Sequence, residues 1–223
     1  DQFYSNWGNM YYFGDGGARY TNQFYSNWGN MYYFGEGGVR YTNQYYYNWG
    51  NTYYFGDGGV LLKNATQWLN STMYHIDNDG VWIATNPTIE AVVNAAQSQI
   101  GLAPYTWGGG RTPASIAAHR FDCSSFVHWA FSQAGIILGN YTSATTWTLE
   151  GYGTPVDWSQ LRRGDIFFMD DVNHVGIYLG DGYFIHDSPN SSTGGVGINR
   201  LTDQVPDLGT WEEIADNINR RIV

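Results

Sequence analysis

One cysteine and five histidines carry the nucleophilic and acid–base options of this 223-residue chain. Cys123 stands in Phe121-Asp122-Cys123-Ser124-Ser125-Phe126, and beyond it Phe126, Val127, Ala130, Phe131 and Ala134 recur at helical spacing. The thiol is therefore expected at the first turn of a helix that buries one face. Unpaired backbone N–H groups at such a position favour a thiolate, and they can also donate to an oxyanion during acyl transfer. A lone cysteine is more often a buried structural residue; the helix start and the preceding Asp single this one out.

A cysteine nucleophile needs a base, and neutral imidazole suits the task. His75 reads as structural. His119 sits in the loop before Cys123, and the helix points His128 away from it. His174 opens the strand-like run His174-Val175-Gly176-Ile177-Tyr178-Leu179, and His186 closes Tyr183-Phe184-Ile185-His186. Asp181-Gly182 between them is a hairpin turn signal, so antiparallel pairing brings the two imidazoles together. One can then act as base while the other orients it. A half-exposed polar pair without chemistry is the plainer alternative.

The elements that must position these residues follow from the pattern. A helix is expected over residues 89–100, capped by Asn86 or Thr88 and ended by Gly101. A glycine-rich loop occupies 105–112, and the cysteine helix runs from about Cys123 to Ala134. Strands are expected near 165–169, 174–179, 182–187 and 196–201, with Arg220-Arg221-Ile222-Val223 as a final strand. Residues 211–219 fit either state. Helices first and antiparallel strands later mean α+β.

Upstream the chain repeats itself. Asn-Trp-Gly-Asn followed by Met10-Tyr11-Tyr12-Phe13-Gly14-Asp15-Gly16-Gly17 recurs with Trp7, Trp28 and Trp49 spaced by 21 residues, and a worn fourth copy keeps Tyr74, Ile76, Gly80 and Val81 in register. Each copy is expected to form a β-hairpin, with Gly14-Asp15-Gly16-Gly17 as the positive-φ turn and Ala18-Arg19-Tyr20 beginning the return strand. One hairpin of this length cannot bury its aromatic face, so neighbours stack as a solenoid. Residues 1–60 hold 21 aromatics and 12 glycines, more rings than a thin core hides. Exposed faces between hairpins suit sugar rings or quaternary ammonium groups. The boundary falls near residue 86, giving units 1–85 and 86–223.

These repeats resemble the cell-wall-binding repeats of Gram-positive surface proteins, the glucan-binding and choline-binding families. The resemblance implies attachment to a wall polymer, polysaccharide or teichoic acid, through Trp7, Trp28, Trp49, Tyr12, Tyr33 and Tyr54. The downstream motifs around Cys123, Leu161-Arg162-Arg163-Gly164-Asp165-Ile166-Phe167-Phe168, His174-Val175-Gly176-Ile177-Tyr178 and Phe184-Ile185-His186, with Tyr105-Thr106-Trp107-Gly108-Gly109 before them, resemble the NlpC family of papain-like cysteine peptidases. By that resemblance Cys123 is the nucleophile, His174 the base and His186 the orienting residue. Tyr105, Asp122 and Ser124 fall where some members contact the N-terminal end of the substrate. The family cuts stem peptides of peptidoglycan, typically between D-γ-glutamyl and the diamino acid. Ser125 replaces a usual Gly and is expected to crowd the helix start; Asp187 follows His186 where a small residue is common.

The function implied is a wall-anchored peptidoglycan endopeptidase. Alternatives are an amidase cutting the muramoyl–L-alanine bond on the same fold, and a wall-binding adhesin with a decayed peptidase domain. Net charge of −10 argues against nucleic acid and anionic membranes as partners, and no apolar run approaches the roughly 18 residues of a membrane span. No metal site and no cofactor are expected: Asp77-Asn78-Asp79-Gly80 lacks the closing acidic ligand of a calcium loop. A secreted monomer, in or on the wall of a Gram-positive bacterium or belonging to its phage, is the expected setting. The chain opens inside a repeat, as a fragment or processed form would.

Overall fold

The 21-residue repeats fold as two-stranded antiparallel hairpins. They are β1 (Gln2–Asn6) with β2 (Asn9–Phe13), β3 (Gln23–Asn27) with β4 (Asn30–Phe34), and β5 (Gln44–Asn48) with β6 (Asn51–Phe55). The worn copy gives β7 (Ala65–Leu69) and β8 (Thr72–Ile76), to which β9 (Trp82–Thr85) is added. This computed structural model describes residues 2–223 and divides into a unit ending at Ala84 and one from Thr85 to Val223.

The hairpin turn lies elsewhere than the glycine run suggests. Trp7-Gly8, Trp28-Gly29 and Trp49-Gly50 close the three hairpins, with φ of 49°, 50° and 48° at Trp and 81°, 78° and 81° at Gly. Positive φ at both central residues is the arrangement of a type I′ turn, whose twist matches that of the paired strands. Gly14-Asp15-Gly16-Gly17 instead forms a tight 3₁₀ turn between hairpins, after which Arg19 makes a single antiparallel bridge to Phe13. The glycines read as the main reversal are thus the connector.

The rings between hairpins pack on one another rather than lining open grooves. Tyr12 stacks on Tyr25 at 3.9 Å between centroids and Tyr33 on Tyr46 at 4.1 Å, which leaves Tyr12 and Tyr33 only 4% and 5% exposed. Both belong to the core and neither is available to a polymer; Tyr54 is half-buried. Phe34, Phe55 and Ile76, at the ends of successive second strands, are fully buried, each contributing about 2 kcal/mol by burial. Backbone bonds stitch each repeat to the next, from Arg40 N–H to Met10 O and from Leu61 N–H to Met31 O, both 2.8 Å.

In the second unit α1 (Pro87–Gln97) starts at Asn86, whose side chain accepts from Ile89 N–H. Short α2 (Pro113–Ala117) and α4 (Thr146–Leu149) flank α3 (Cys123–Gln133). The strands are β10 (Thr154–Pro155), β11 (Ile166–Met169), β12 (His174–Gly180), β13 (Tyr183–Asp187), β14 (Val196–Arg200), β15 (Gln204–Val205), β16 (Gly209–Thr210) and β17 (Ala215–Arg221). Six form one antiparallel sheet in the order β10-β17-β11-β12-β13-β14. Strand alternation divides the core. Ile166, Phe168, Val175, Ile177 and Ile185 meet Val92, Val93, Phe126, Val127 and Ala130 of α1 and α3. Phe167, Met169 and Phe184 meet Leu201, Val205 and Trp211 on the other face. Arg163 pins α1 to the sheet, donating to both oxygens of Glu90 and to Leu179 O. Among the described residues no helix is long and apolar enough to cross a membrane.

Candidate active site

Cys123 is the first residue of α3, and Asp122 is its N-cap. The Asp122 carboxylate accepts from Ser125 N–H while Ser125 Oγ accepts from Asp122 N–H, a reciprocal capping box. Ser125 does not crowd the helix start: it completes the cap, and the close approach of Gly110 at φ 75° leaves room for it.

The thiol faces the beginning of β12. Its Sγ is 3.9 Å from Asn173 O, and the N–H groups of Ser124 and Val175 donate to it. The β12–β13 turn at Asp181-Gly182, both at positive φ, folds His186 back beside His174. Their Nε2 and Nδ1 atoms are 2.7 Å apart, and His186 Nε2 is 3.1 Å from Asn199 Oδ1 on β14. Trp211 packs against both rings.

This series fixes the tautomers. Asn199 Oδ1 also accepts from Ser192 N–H, and Asn199 Nδ2 donates to Asp203, so the oxygen is the atom facing His186. An amide oxygen only accepts, so His186 carries its proton on Nε2 and accepts at Nδ1. His174 then carries its proton on Nε2, leaving Nδ1 bare as the basic nitrogen. Burial holds both rings neutral: His174 is pushed well below the usual histidine range by burial and by His186, and His186 falls to about 4 by burial, against the bond to Asn199.

The thiol is likewise uncharged at rest. Burial, reinforced by the Asp122 charge, pushes Cys123 up to about 12, outweighing the donors from Ser124 and Val175. A standing thiolate, expected from the helix end, is therefore corrected, because Cys123 is only 5% exposed and a buried charge loses its hydration. A neutral thiol and a neutral imidazole can act as a general-base pair, the proton moving as the sulfur attacks.

A cleft of about 340 Å³ opens over Cys123, with Trp107, Arg111, Ser124, Trp147 and Asn173 in its walls. Asp122 and Ser124 reach it, but neither is free. Arg111 donates to both Asp122 oxygens, to Ser124 Oγ, to Gly109 O and to Ala144 O. All five of its N–H donors are engaged by three separate segments, so it clamps the cysteine loop as a unit. Burial raises the Tyr105 hydroxyl to about 12, with the nearby Asp122 carboxylate adding to the shift.

The remaining histidines lie apart from the thiol. His128 Nε2 is 3.0 Å from Gly139 O, and His119 Nδ1 is 2.7 Å from Gln99 Oε1. Asp187, directly after His186, is fully buried, with no hydrogen-bond partner on either carboxylate oxygen. Burial and then Asp122 raise it to about 8, so it stays protonated in neutral water. Sequence reading missed Asn199 and Arg111. Asn199 had one faint signal, a polar residue two positions beyond the strand partner of His186; Arg111 had none, since its partners lie up to 33 residues away. Among the described residues no group of three or more His, Cys, Asp or Glu is placed to hold a metal.

Residues 102–212 match the NlpC/P60 family. The chain is 43% identical over 138 residues to the peptidoglycan DL-endopeptidase CwlO of Bacillus licheniformis, covering 60% of this chain and 28% of that protein. It is 48% identical over 107 residues to a probable endopeptidase of Mycobacterium bovis, covering 48% and 24%. The chain thus spans about a quarter of the length of these curated relatives. The choline-binding domain of a Streptococcus pneumoniae protein superposes with a TM-score of 0.32 at 23% identity, over 36% of this chain and 92% of that one.

Proposed function

The second unit carries an NlpC/P60 domain, and from that premise we propose that this chain is a peptidoglycan endopeptidase held on the cell wall by its repeats. The bond cut is the one between D-γ-glutamyl and the diamino acid of the stem peptide. Cys123 Sγ attacks that carbonyl carbon as its proton passes to His174 Nδ1. The tetrahedral oxyanion is met by the backbone N–H groups at the start of α3. Collapse expels the diamino acid's amine, which takes the proton from His174, and leaves a thioester on Cys123. Water, deprotonated by His174, then releases the D-glutamyl product and restores the thiol.

The observation that supports this most is the series Asn199–His186–His174, which aims an unprotonated nitrogen from the end of β12 whose backbone contacts the thiol. Tyr105 and Ser124 border the substrate, while Asp122, engaged by Arg111, serves as the cap that holds Cys123 in place. The enzyme works as a monomer outside the cell, on the wall of a Gram-positive bacterium, as that cell's own enzyme or its phage's. The repeats bind wall polysaccharide or teichoic acid.

Mass spectrometry of muropeptides digested by the protein tests the reading. New amino termini on the diamino acid are expected, and Cys123→Ala abolishes them. New termini on L-alanine instead mark an amidase, and lysis that persists in Cys123→Ala removes the reaction from this site.

A further inference from the structure

The three tryptophans that close the hairpins are placed at odds with both turn chemistry and burial. A type I′ turn favours Asn, Asp or Gly at its first central position. A bulky residue at φ near +50° is a genuine outlier, yet Trp7, Trp28 and Trp49 all adopt it. Their indoles are 95%, 94% and 91% exposed, and among the described residues they make no ring contact. Neither folding nor core packing asks for Trp there.

The fourth hairpin is an internal control. It closes with Asn70-Ser71 at φ of 49° and 64°, in the same register, with no indole at the tip. The turn therefore forms without Trp. The flanking pair changes at the same time. Asn6 and Asn9, Asn27 and Asn30, and Asn48 and Asn51 face each other beside each tryptophan, whereas Leu69 and Thr72 take those places in the fourth copy. Trp and the two amides are kept together or lost together.

We propose that the Asn-Trp-Gly-Asn tips at 6–9, 27–30 and 48–51 are saccharide sites, each laying the apolar face of one sugar ring on the indole with the ring's hydroxyls bonded to the flanking amides. The proposal rests on reading the repeats as a wall anchor, and it moves the contact from between the hairpins to their ends. A tip has one flat face and no charge, which suits a neutral polyhydroxylated ring. A quaternary ammonium group needs several aromatic faces converging on it. Between the hairpins, Tyr12 and Tyr25, and Tyr33 and Tyr46, are stacked on each other rather than opened around a cavity. Three identical tips on successive repeats fit a polymer of sugars, where weak contacts reinforce one another.

The test uses the full chain carrying Cys123→Ala, so that walls are not digested, sedimented with purified Gram-positive sacculi. Replacing Trp7, Trp28 and Trp49 by Asn, the residue the fourth hairpin already uses, is expected to keep or raise the melting temperature and to lower binding at least roughly tenfold, with single replacements losing less. Chitin-type oligosaccharides should compete and excess choline should not. Retention of the folded triple variant at wild-type level overturns the tip sites and leaves the anchor reading intact, as does release by choline, which points to an ammonium cage. Failure of the unsubstituted tips to sediment at all overturns the anchor reading, and the tip sites with it.

Discussion

The two units expose opposite ways of presenting a working side chain. Around Cys123 each group is held by another: Asn199 sets His186, His186 sets His174, and Arg111 ties the cap beneath the sulfur to two loops. At the hairpin tips the indoles touch no other ring among the described residues and rest on strained turns in open water. Bond making tolerates errors well under an ångström, so its groups are tethered. A surface that binds a repetitive polymer, as proposed for the tips, gains more from accessibility than from fixed aim.

That contrast breaks most visibly at the sulfur. Cys123→Ala and His174→Ala are each expected to lower turnover by about 10⁴-fold or more, with sedimentation on walls unchanged; residual turnover above that level in either would detach the chemistry from this pair. Arg111→Ala comes next. It strands the Asp122 carboxylate beside the sulfur, and a loss of about 3 kcal/mol of unfolding free energy is expected, read by urea titration. Arg111→Lys recovers part of it, because the charge returns without the fork. A wild-type denaturation midpoint in Arg111→Ala would show the clamp to be ornamental.

Removing the outer tether should do less. Asn199→Ala frees the His186 ring to turn, and a fall in kcat of about 10- to 100-fold with little change in KM is expected. His186→Ala falls further but stays above His174→Ala. Equal, complete losses for all three would mean the tether is part of the reaction rather than its frame.

Ionisable groups buried near the site predict a pH signature. His186, at about 4 when folded and about 6.5 when unfolded, binds more protons in the unfolded chain between those values, so its contribution to stability rises with pH there. Asp187, raised to about 8 from about 3.8, binds more protons in the folded chain, so its contribution falls as pH rises toward 8. His174, pushed well below its ordinary value, acts in the same sense as His186, so below about pH 6.5 Asp187 opposes two histidines; from about pH 6.5 to 8 Asp187 acts, with a slope of up to about 1.4 kcal/mol per pH unit. Asp187→Asn should flatten stability between pH 6.5 and 8, as followed by thermal melts; an unchanged slope would assign it to another group.

The smallest effect belongs to the tips. Trp28→Asn relieves a bulky residue at positive φ and should stabilise the chain by about 1 kcal/mol, the opposite sign from Arg111→Ala. A destabilised Trp28→Asn would mean the indole supports its hairpin after all.

Local pattern accounts for what was legible. Apolar spacing marked α3, and the Asp181-Gly182 turn put His174 and His186 on paired strands. The hairpin turn was misplaced because Trp is the least expected residue for it, while Gly14-Asp15-Gly16-Gly17 carries the ordinary turn signal. The burial of Tyr12 and Tyr33 is not legible in sequence, because a count of rings does not say which ones stack across repeats. The state of the thiol was misjudged for a related reason: a helix end is visible in sequence, but the walls that dehydrate it come from distant strands. Asn199 and Arg111 work through partners brought in by tertiary folding alone.

The bonds from Arg40 to Met10 and from Leu61 to Met31 join residues thirty apart, the second pair displaced by one repeat from the first. The first three repeats therefore meet through the same pair of positions at both of their junctions. Deleting or duplicating one 21-residue copy restores an identical junction, so genetic recombination between near-identical segments changes the length of the array without inventing a new interface. The length of the array becomes a heritable quantity that varies in whole steps, while the sequence of the second unit stays untouched.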